Sequence, residues 1–400
     1  MMLLSLPVIA LVAVLLLPSL SDLLSVARIL AGRRARRVEV PSETPRLLLL
    51  VPAHDEEVVL GACLESIRRL SYPPAALDTV VIADNCRDRT ADITRAAGVR
   101  CLVRVVPNNP GKPSAIAWAL GQLALSQYDA VVIVDADTEL DRDFATHLAA
   151  AAPLAGKALQ PYNGVLNPGE NALTRMADVL SAVDHAHAYA LKTRAGINVP
   201  LSAGMCVGTD LLARLGWNAT SLCEDWEMYA LLTEQGVAIR GVSGARLYAQ
   251  EASTLGASGT QRRRWTAGKL AVLSRYACPI LRSRAIGAAQ KLDAIAELSR
   301  PGPVLHLCLV AAASAGTLAL QVPGAAVLVS GLLATLLRPA AYATIAIWRG
   351  PDPVRAIRAF AFLPCYAVWR AWSALTTLLT LGDKAWVRTA RRRRSALPQP

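Results

Sequence analysis

The sequence predicts an α/β fold in which a mostly parallel sheet presents acidic side chains at one edge. Between Arg46 and Gly241, short apolar runs alternate with helical stretches, which is the pattern of strands joined by crossover helices. Each of the first four runs ends in a polar loop, and the fourth leads directly into Asp135 and Asp137. Because open α/β sheets bind ligands at the carboxyl ends of their strands, we expect a ligand site at that edge.

The apolar runs define the expected strands. Pro113 fits the first turn of a helix that begins near Lys112, and the acids after Cys223 fit the start of another that continues to about Gln235. The predicted strands are 46–51, 79–83, 101–106 and 130–134, a possible edge strand at 159–162, a small-residue strand at 202–208 and a final short strand at 237–241.

Both ends of the chain predict membrane segments. Residues 1–21 carry no charge and are long enough to cross a hydrocarbon core of about 30 Å. A cleaved signal peptide is less favoured, because there is no basic n-region. The arginines that follow place this flank in the cytoplasm. Residues 301–337 are also uncharged and are broken by Pro323-Gly324, which predicts a helical hairpin, and a last apolar stretch covers 359–382.

The composition narrows the possible functions. Apolar residues make up 54% of the 400 residues and charged residues only 18%, which is too apolar for an ordinary soluble domain. The net charge of +12 favours an acidic partner, such as anionic lipid or nucleotide phosphate. Nucleic acid fits less well, because the basic residues do not follow one aromatic-rich face. The eight cysteines form no C-x-x-C pair, which indicates reduced thiols.

Asp135 and Asp137 are candidate ligands of a divalent cation. Hard carboxylate oxygens suit Mg²⁺ or Mn²⁺, and either ion could also bind a diphosphate. A solvated acidic turn is the alternative for an isolated Asp-x-Asp. The polar loops after the neighbouring strands favour the metal.

Asp84 and Lys112 are candidate nucleotide ligands. Asp84 ends the second strand, where its carboxylate could bind a base or ribose or could close an Asx turn. Lys112 follows a glycine and could reach phosphates, or it could be an ordinary surface lysine.

Two later segments carry further chemistry. Glu224 and Asp225 lie beside Trp226, an apolar flank that can tune a general base, although acids also satisfy a helix start. Gln261, Arg264 and Trp265 combine an amide, a cation and an aromatic surface. Such a set binds sugars and diphosphates, or it belongs to a basic helix at a membrane surface.

Together these residues form a recognisable pattern. The chain resembles the membrane-bound branch of glycosyltransferase family 2, which uses the GT-A fold and includes the synthases of cellulose and hyaluronan. The resemblance covers about residues 46–274, and six motifs in the expected order make it specific. They are Val51-Pro52-Ala53-His54-Asp55-Glu56-Glu57, Ala83-Asp84-Asn85, Gly111-Lys112, Asp135-Ala136-Asp137, Glu224-Asp225 and Gln261-x-x-Arg264-Trp265.

The resemblance implies an inverting transfer of a sugar from a nucleotide diphosphate sugar. Asp135 and Asp137 would hold the metal on the diphosphate, and Asp225 would deprotonate the acceptor hydroxyl. The residues implied for binding are Pro52, Glu56 and Asp84 at the nucleoside, Lys112 and Asp135 at the nucleotide sugar, and Glu224, Gln261, Arg264 and Trp265 at the diphosphate and acceptor.

The sequence leaves several alternatives open. Ser202-Ala203-Gly204 replaces the Gly-Asn-Gly that is more usual in the family, so the acceptor is not identified. Gln-x-x-Arg-Trp occurs in processive and in single-transfer enzymes. A sugar transferase to a polyprenyl phosphate, a single-transfer glycolipid synthase and an inactive nucleotide-binding membrane subunit are the rivals. A dehydrogenase is disfavoured, because no G-x-G-x-x-G follows the first strand.

We expect a multi-pass protein of the inner membrane with its catalytic domain in the cytoplasm. Its expected partners are the nucleotide diphosphate sugar, a carbohydrate or lipid-linked acceptor, the membrane and partner subunits for export, with no nucleic acid. Three carboxyl-terminal crossings would place the basic tail outside, against the positive-inside rule, unless the stretch around Arg370 lies flat on the membrane.

The expected segments are a membrane helix (1–27), a basic linker (28–45), the GT-A domain (46–260), interfacial helices (261–300), membrane or interfacial helices (301–382) and a basic tail (383–400).

Overall fold

The structure is a computed structural model that describes residues 2–32, 44–221 and 223–379. The predicted basic tail lies outside the described residues, as does most of the predicted basic linker. The segment boundaries proposed above therefore stay predictions.

An eight-stranded sheet lies at the centre of the chain, with the strand order β3-β2-β1-β4-β7-β6-β8-β5. The predicted mostly parallel sheet is confirmed: β1–β2, β1–β4, β2–β3 and β6–β8 are parallel pairs, whereas β7 and β5 pair antiparallel. The strands are β1 (Leu47–Ala53), β2 (Leu77–Asp84), β3 (Arg100–Arg104), β4 (Ala130–Ile133), β5 (Thr138–Leu140), β6 (Lys157–Val165), β7 (Cys206–Gly208) and β8 (Ala238–Ala249).

Helices cover both faces of the sheet, so its central strands are buried on both sides. In β1, Leu48 and Leu50 pack into one core, whereas Leu47 and Leu49 pack into the other. This is why β1 is an uninterrupted apolar run. The helices of this part of the chain are α2 (Leu60–Arg68), α3 (Thr90–Ala96), α4 (Lys112–Leu120), α5 (Phe144–Ala149), α6 (Ala172–Ala182), α7 (Tyr189–Ala195), α8 (Thr209–Leu215) and α9 (Glu224–Glu234).

Three strand predictions need correction. The small-residue strand predicted at 202–208 is only the short β7, Cys206–Gly208. The possible edge strand at 159–162 is instead the interior strand β6, which lies between β7 and β8. Pro161 is accommodated there because the register shifts between Pro161 and Tyr162. The final strand is also longer than predicted. It continues through Gly244, where a Cβ atom would lie 2.5 Å from Cδ2 of His147, so the absence of a side chain permits close packing of α5 on β8.

Long helices occupy both ends of the described chain. Two, Ser5–Leu30 and Ala325–Arg349, are long and apolar enough to cross a membrane. The pair Ala288–Ser299 and Pro303–Ala319, bent by 80°, would form a third crossing if it acts as one span. These helices are α1 (Met2–Leu30), α10 (Leu255–Arg282), α11 (Ala288–Ser299), α12 (Pro303–Ala319), α13 (Ala325–Ala334), α14 (Leu337–Arg349), α15 (Pro353–Phe360) and α16 (Leu363–Leu379).

A buried charge cluster joins the terminal helices to the α/β core. The Lys192 ammonium on α7 lies 2.6 Å from carboxylate oxygens of both Asp293 and Glu297 on α11. The hydroxyl of Ser21 on α1 donates to the same Asp293 oxygen at 2.6 Å. Three elements far apart in sequence therefore meet at one ion pair.

Candidate active site

The Asp-x-Asp segment follows β4 as a turn that leads into β5. Asp135, Asp137 and Glu139 are partly exposed, whereas the residues between them are buried. The backbone oxygen of Asp135 accepts hydrogen bonds from the amide and the hydroxyl of Thr138, at 3.1 and 2.7 Å. These hydrogen bonds close a turn over residues 135–138, and this turn carries the partly exposed side chains of Asp135 and Asp137.

Lys112 connects this turn to the start of α9. Its Nζ atom lies 2.5 Å from Oδ1 of Asp135 and 2.6 Å from Oε1 of Glu224. Lys112 opens α4 directly after Gly111, whose φ of 114° favours glycine. Burial lowers the pKa of Lys112, but Asp135 and Glu224 together raise it above its ordinary value, so the side chain is a permanent cation.

Asp225 is the titratable group of this site. Burial and the neighbouring Glu224 raise the pKa of its carboxyl to about 7, although Lys112 opposes the shift. Its Oδ1 atom accepts a hydrogen bond from the amide of Trp226 at 2.8 Å, which orients the carboxylate. A carboxylate with a pKa near neutrality can take up a proton during a reaction.

Helix α10 carries Gln261, Arg264 and Trp265, and it contacts the start of α9 at Arg264. The thiol of Cys223 lies 3.8 Å from the backbone oxygen of Arg264. The Nε atom of Arg264 is buried and has no hydrogen-bond partner within the described residues. Gln261 is partly buried, and Trp265 is 40% exposed. An unpaired buried guanidinium nitrogen is costly, and an anionic ligand would satisfy it.

Three positioning residues were missed by the sequence analysis. A Cβ atom on Gly268 would lie 2.1 Å from Sγ of Cys223, so only glycine allows α10 to pack this closely on α9. Glu227 is buried and accepts hydrogen bonds from the amides of Thr220 and Ser221 at 2.8 and 2.7 Å. The third is Lys269, whose Nζ atom lies 4.2 Å from the centroid of the Trp226 ring.

Two of these three residues could have been found from their spacing to the motif residues. Gly268 stands four residues after Arg264, and Glu227 stands three after Glu224, so each lies on the same helix face as a motif residue. Lys269 carried no comparable signal, because its partner Trp226 belongs to another helix.

The side chain of Asp84 is buried and already paired with other residues of the protein. Its Oδ1 atom lies 2.5 Å from Nη1 of Arg104, and both side chains are nearly buried. The Asn85 amide also donates to Oδ1, and the backbone amide of Gly111 donates to Oδ2. Asp84 therefore connects the loop after β2 to β3 and to the Gly-Lys turn, and its contact with a nucleoside stays a prediction.

The loops after β1 and β2 are cross-linked by hydrogen bonds. Asp55 has a φ of 53°, and its carboxylate accepts from the amide of Arg87 at 2.7 Å. Asp88 accepts from the amide of Glu57 at 2.9 Å. The amide of Glu56 donates to Thr90 Oγ1, and Pro52 is partly buried in β1, so the two predicted nucleoside residues of this loop lie on ordered backbone.

One group of three potential metal ligands occurs in the described residues, at Asp55, Cys86 and Asp88. Burial raises the pKa of the Cys86 thiol to about 11, so it is protonated near neutral pH and is a poor ligand for a hard cation. The two carboxylates already accept backbone hydrogen bonds across the loops. We therefore interpret these three side chains as part of the hydrogen-bonded contact between the loops after β1 and β2, and not as a metal site.

The sequence comparison decides the family. Residues 45–268 match the family described as Glycosyltransferase like family 2, which is more than half of the chain. The chain belongs to glycosyltransferase family 2. The matched region contains all the predicted site residues, and the enzyme class predicted from the sequence, a glycosyltransferase, is confirmed.

Curated relatives share this region. A probable glycosyltransferase, YdaM, of Bacillus subtilis is 27% identical over 249 residues, which cover 58% of this chain and 57% of the relative. A beta-monoglucosyldiacylglycerol synthase of Synechocystis is 28% identical over 189 residues, which cover 46% of this chain and 39% of the relative. The matches thus span less than two thirds of these relatives.

A solved structure shows the same fold over almost the whole chain. The mannosyltransferase PcManGT from Pyrobaculum calidifontis, in complex with GDP-Man and Mn²⁺, superposes with a TM-score of 0.51 at 19% sequence identity. The superposition covers 93% of this chain and 97% of that one. The predicted GT-A fold is confirmed.

We predict that Gly268→Ala lowers the rate of sugar transfer at least about tenfold, because the new methyl group would displace α10 from Cys223 and move Arg264 away from α9. Gly256→Ala on the same helix is the matched control, since its Cβ atom would have no neighbour within 4 Å. Cys223→Ala should partly restore the rate in the Gly268→Ala background. Equal rates for the two glycine variants would contradict the packing argument.

Proposed function

We propose that this protein is an inverting glycosyltransferase that moves a sugar from a nucleotide diphosphate sugar to an acceptor at the cytoplasmic face of the inner membrane. The observation that carries the proposal is the double contact of Lys112 with Asp135 and Glu224. It joins the Asp-x-Asp turn to the helix that carries Asp225, which supports a single site for the proposed metal ligands and the proposed base.

The donor set at this site fits a divalent cation. Four carboxylates, those of Asp135, Asp137, Glu224 and Asp225, belong to segments around a single lysine ammonium. Acidic charge therefore exceeds basic charge, and the donors are the hard oxygens that Mg²⁺ and Mn²⁺ prefer. Asp135 and Asp137 would hold the ion, which when bound neutralises negative charge on the departing diphosphate.

Lys112 and Arg264 would act on the diphosphate itself. Lys112 supplies a point charge at the end of β4, and Arg264 supplies a buried nitrogen without a partner in the described residues. Pro52 and Asp84 lie near the carboxyl ends of β1 and β2, and Glu56 lies in the loop after β1, at the same edge of the sheet, where we place the nucleoside.

Asp225 is the proposed general base. It would accept the proton of the acceptor hydroxyl as the hydroxyl oxygen bonds to the anomeric carbon. The bond from that carbon to the diphosphate breaks on the opposite side, and its electron pair leaves with the nucleoside diphosphate, which inverts the configuration. Gln261 and Trp265 would hold the acceptor sugar by an amide hydrogen bond and by stacking.

The acceptor is proposed to be carbohydrate or lipid at the membrane. The two helices that could span a membrane support this location. The similarity to a beta-monoglucosyldiacylglycerol synthase favours a glycolipid product over a polysaccharide, and partner subunits for export would be needed only for the latter.

We predict that Asp225→Asn lowers kcat by about 10²- to 10⁴-fold, because an amide cannot take up the proton.

Asp137→Asn should weaken the response to Mn²⁺ or Mg²⁺, measured as release of nucleoside diphosphate from a panel of nucleotide sugars. Glu234→Gln, at the far end of α9, is the control and should keep full activity. An inactive nucleotide-binding subunit would show no turnover in any of these proteins, and that result would contradict the proposed function.

We also predict that kcat/KM rises with pH through a midpoint near 7, because Asp225 must be deprotonated to act as a base and burial raises its pKa to about 7. Lys112 stabilises the ionised form, so Lys112→Met should move the midpoint to higher pH as well as reduce the rate. An unchanged midpoint in Lys112→Met would show that Lys112 does not act on the base.

A further inference from the structure

Arg370 interrupts the last apolar stretch of the sequence, and the proposed reaction does not use it. Arg370 lies on α16, and only 6% of its surface is exposed. The Nη2 atom donates a hydrogen bond to the hydroxyl of Thr266 on α10 at 3.1 Å. Within the described parts of the chain, Arg370 forms no ion pair with a carboxylate.

A second arginine lies on the same side of α10. The guanidinium of Arg262 lies 5.9 Å from the centroid of the Tyr366 ring on α16, and its Nη2 atom lies 3.2 Å from Oε1 of Glu251. The charge of Arg262 is thus compensated by Glu251. The backbone oxygen of Arg262 accepts the hydrogen bond that the Thr266 hydroxyl donates, so Thr266 connects the two arginines.

The fit between α10 and α16 is close enough to define a site. A Cβ atom on Gly259 would lie 3.0 Å from Cζ2 of Trp369, and the Trp369 ring stacks on Tyr366 at a centroid distance of 5.5 Å. Tyr366 stands four residues before Arg370, so the two side chains lie on the same face of α16. The guanidinium is therefore held in a defined place rather than at a freely solvated surface.

A buried cation without a carboxylate partner is unfavourable unless an anion joins it. The planar fork of arginine suits the oxygens of phosphate, which can accept two parallel hydrogen bonds. On the same helix, Val368 and Trp372 are exposed, which is the arrangement of a helix that faces lipid near the head groups. A membrane lipid is thus a chemically suitable source of the phosphate.

We propose that Arg370, oriented by Thr266, binds the phosphate group of an anionic membrane lipid. The proposal rests on the membrane location proposed above. Thr266 stands two residues after Arg264, which places it about 200° around α10 from the residue proposed to hold the donor diphosphate. The lipid site and the transfer site then lie on opposite flanks of one helical turn, and lipid bound at Arg370 would hold α10 in place.

Binding to the purified full-length protein in neutral detergent tests this site. Dioctanoyl phosphatidylglycerol, dioctanoylglycerol and inorganic phosphate would be titrated separately without donor, with native mass spectrometry and intrinsic tryptophan fluorescence as readouts. We expect the phosphatidylglycerol to bind saturably and the phosphate-free lipid not to bind at this site. Arg370→Gln should weaken the affinity by about fivefold or more, as expected for one arginine near a lipid phosphate.

Arg355→Gln is the matched control, because Arg355 on α15 is a solvent-exposed arginine paired with Asp352. It should keep the affinity of the unaltered protein. If Arg370→Gln does not fold, Thr266→Val tests the site, since it removes the hydroxyl that orients Arg370 and should also weaken lipid binding. Unchanged affinity in these variants, or equally tight binding of inorganic phosphate, would overturn the proposal. Because no donor is present, the result is independent of whether sugar transfer occurs.

Discussion

The contact of Lys112 with Asp135 and Glu224 is the interaction on which the arrangement of the site depends. It connects the end of β4 to the start of α9, two segments nearly ninety positions apart. Without a cation between them, these carboxylates would repel one another in a partly buried space. The same ammonium also limits how far the pKa of Asp225 rises, so one lysine affects both the proposed metal turn and the proposed base.

The remaining packing keeps these groups in register. Gly268 lets α10 approach Cys223, which places Arg264 beside the start of α9. Glu227 fixes the backbone before α9 through the amides of Thr220 and Ser221. Helix α16 packs on the first half of α10, and the buried cluster around Lys192 connects the core to α1 and α11. The terminal helices and the α/β core therefore support one another.

Much of the fold could be predicted because the central strands are buried on both faces and appear as unbroken apolar runs. The resemblance to glycosyltransferase family 2 predicted that Asp135 and Glu224 belong to one site, and Lys112 contacts both of them. The place of β6 could not be predicted, because Pro161 is typical of an edge and only the register shift beside it explains its interior position. The pairing of Asp84 with Arg104 could not be predicted either, because the two residues are twenty positions apart on different strands and no sequence pattern links them.

A double-mutant cycle on Lys112 and Glu224 tests the central claim most directly. The kcat/KM of Lys112→Met, of Glu224→Gln and of the double variant would be compared with that of the unaltered enzyme. If the two side chains act through their ion pair, the double variant should be little worse than the more impaired single variant, with a coupling energy of about 1–3 kcal/mol. Fully multiplicative losses would mean that the two residues act independently and would contradict the account.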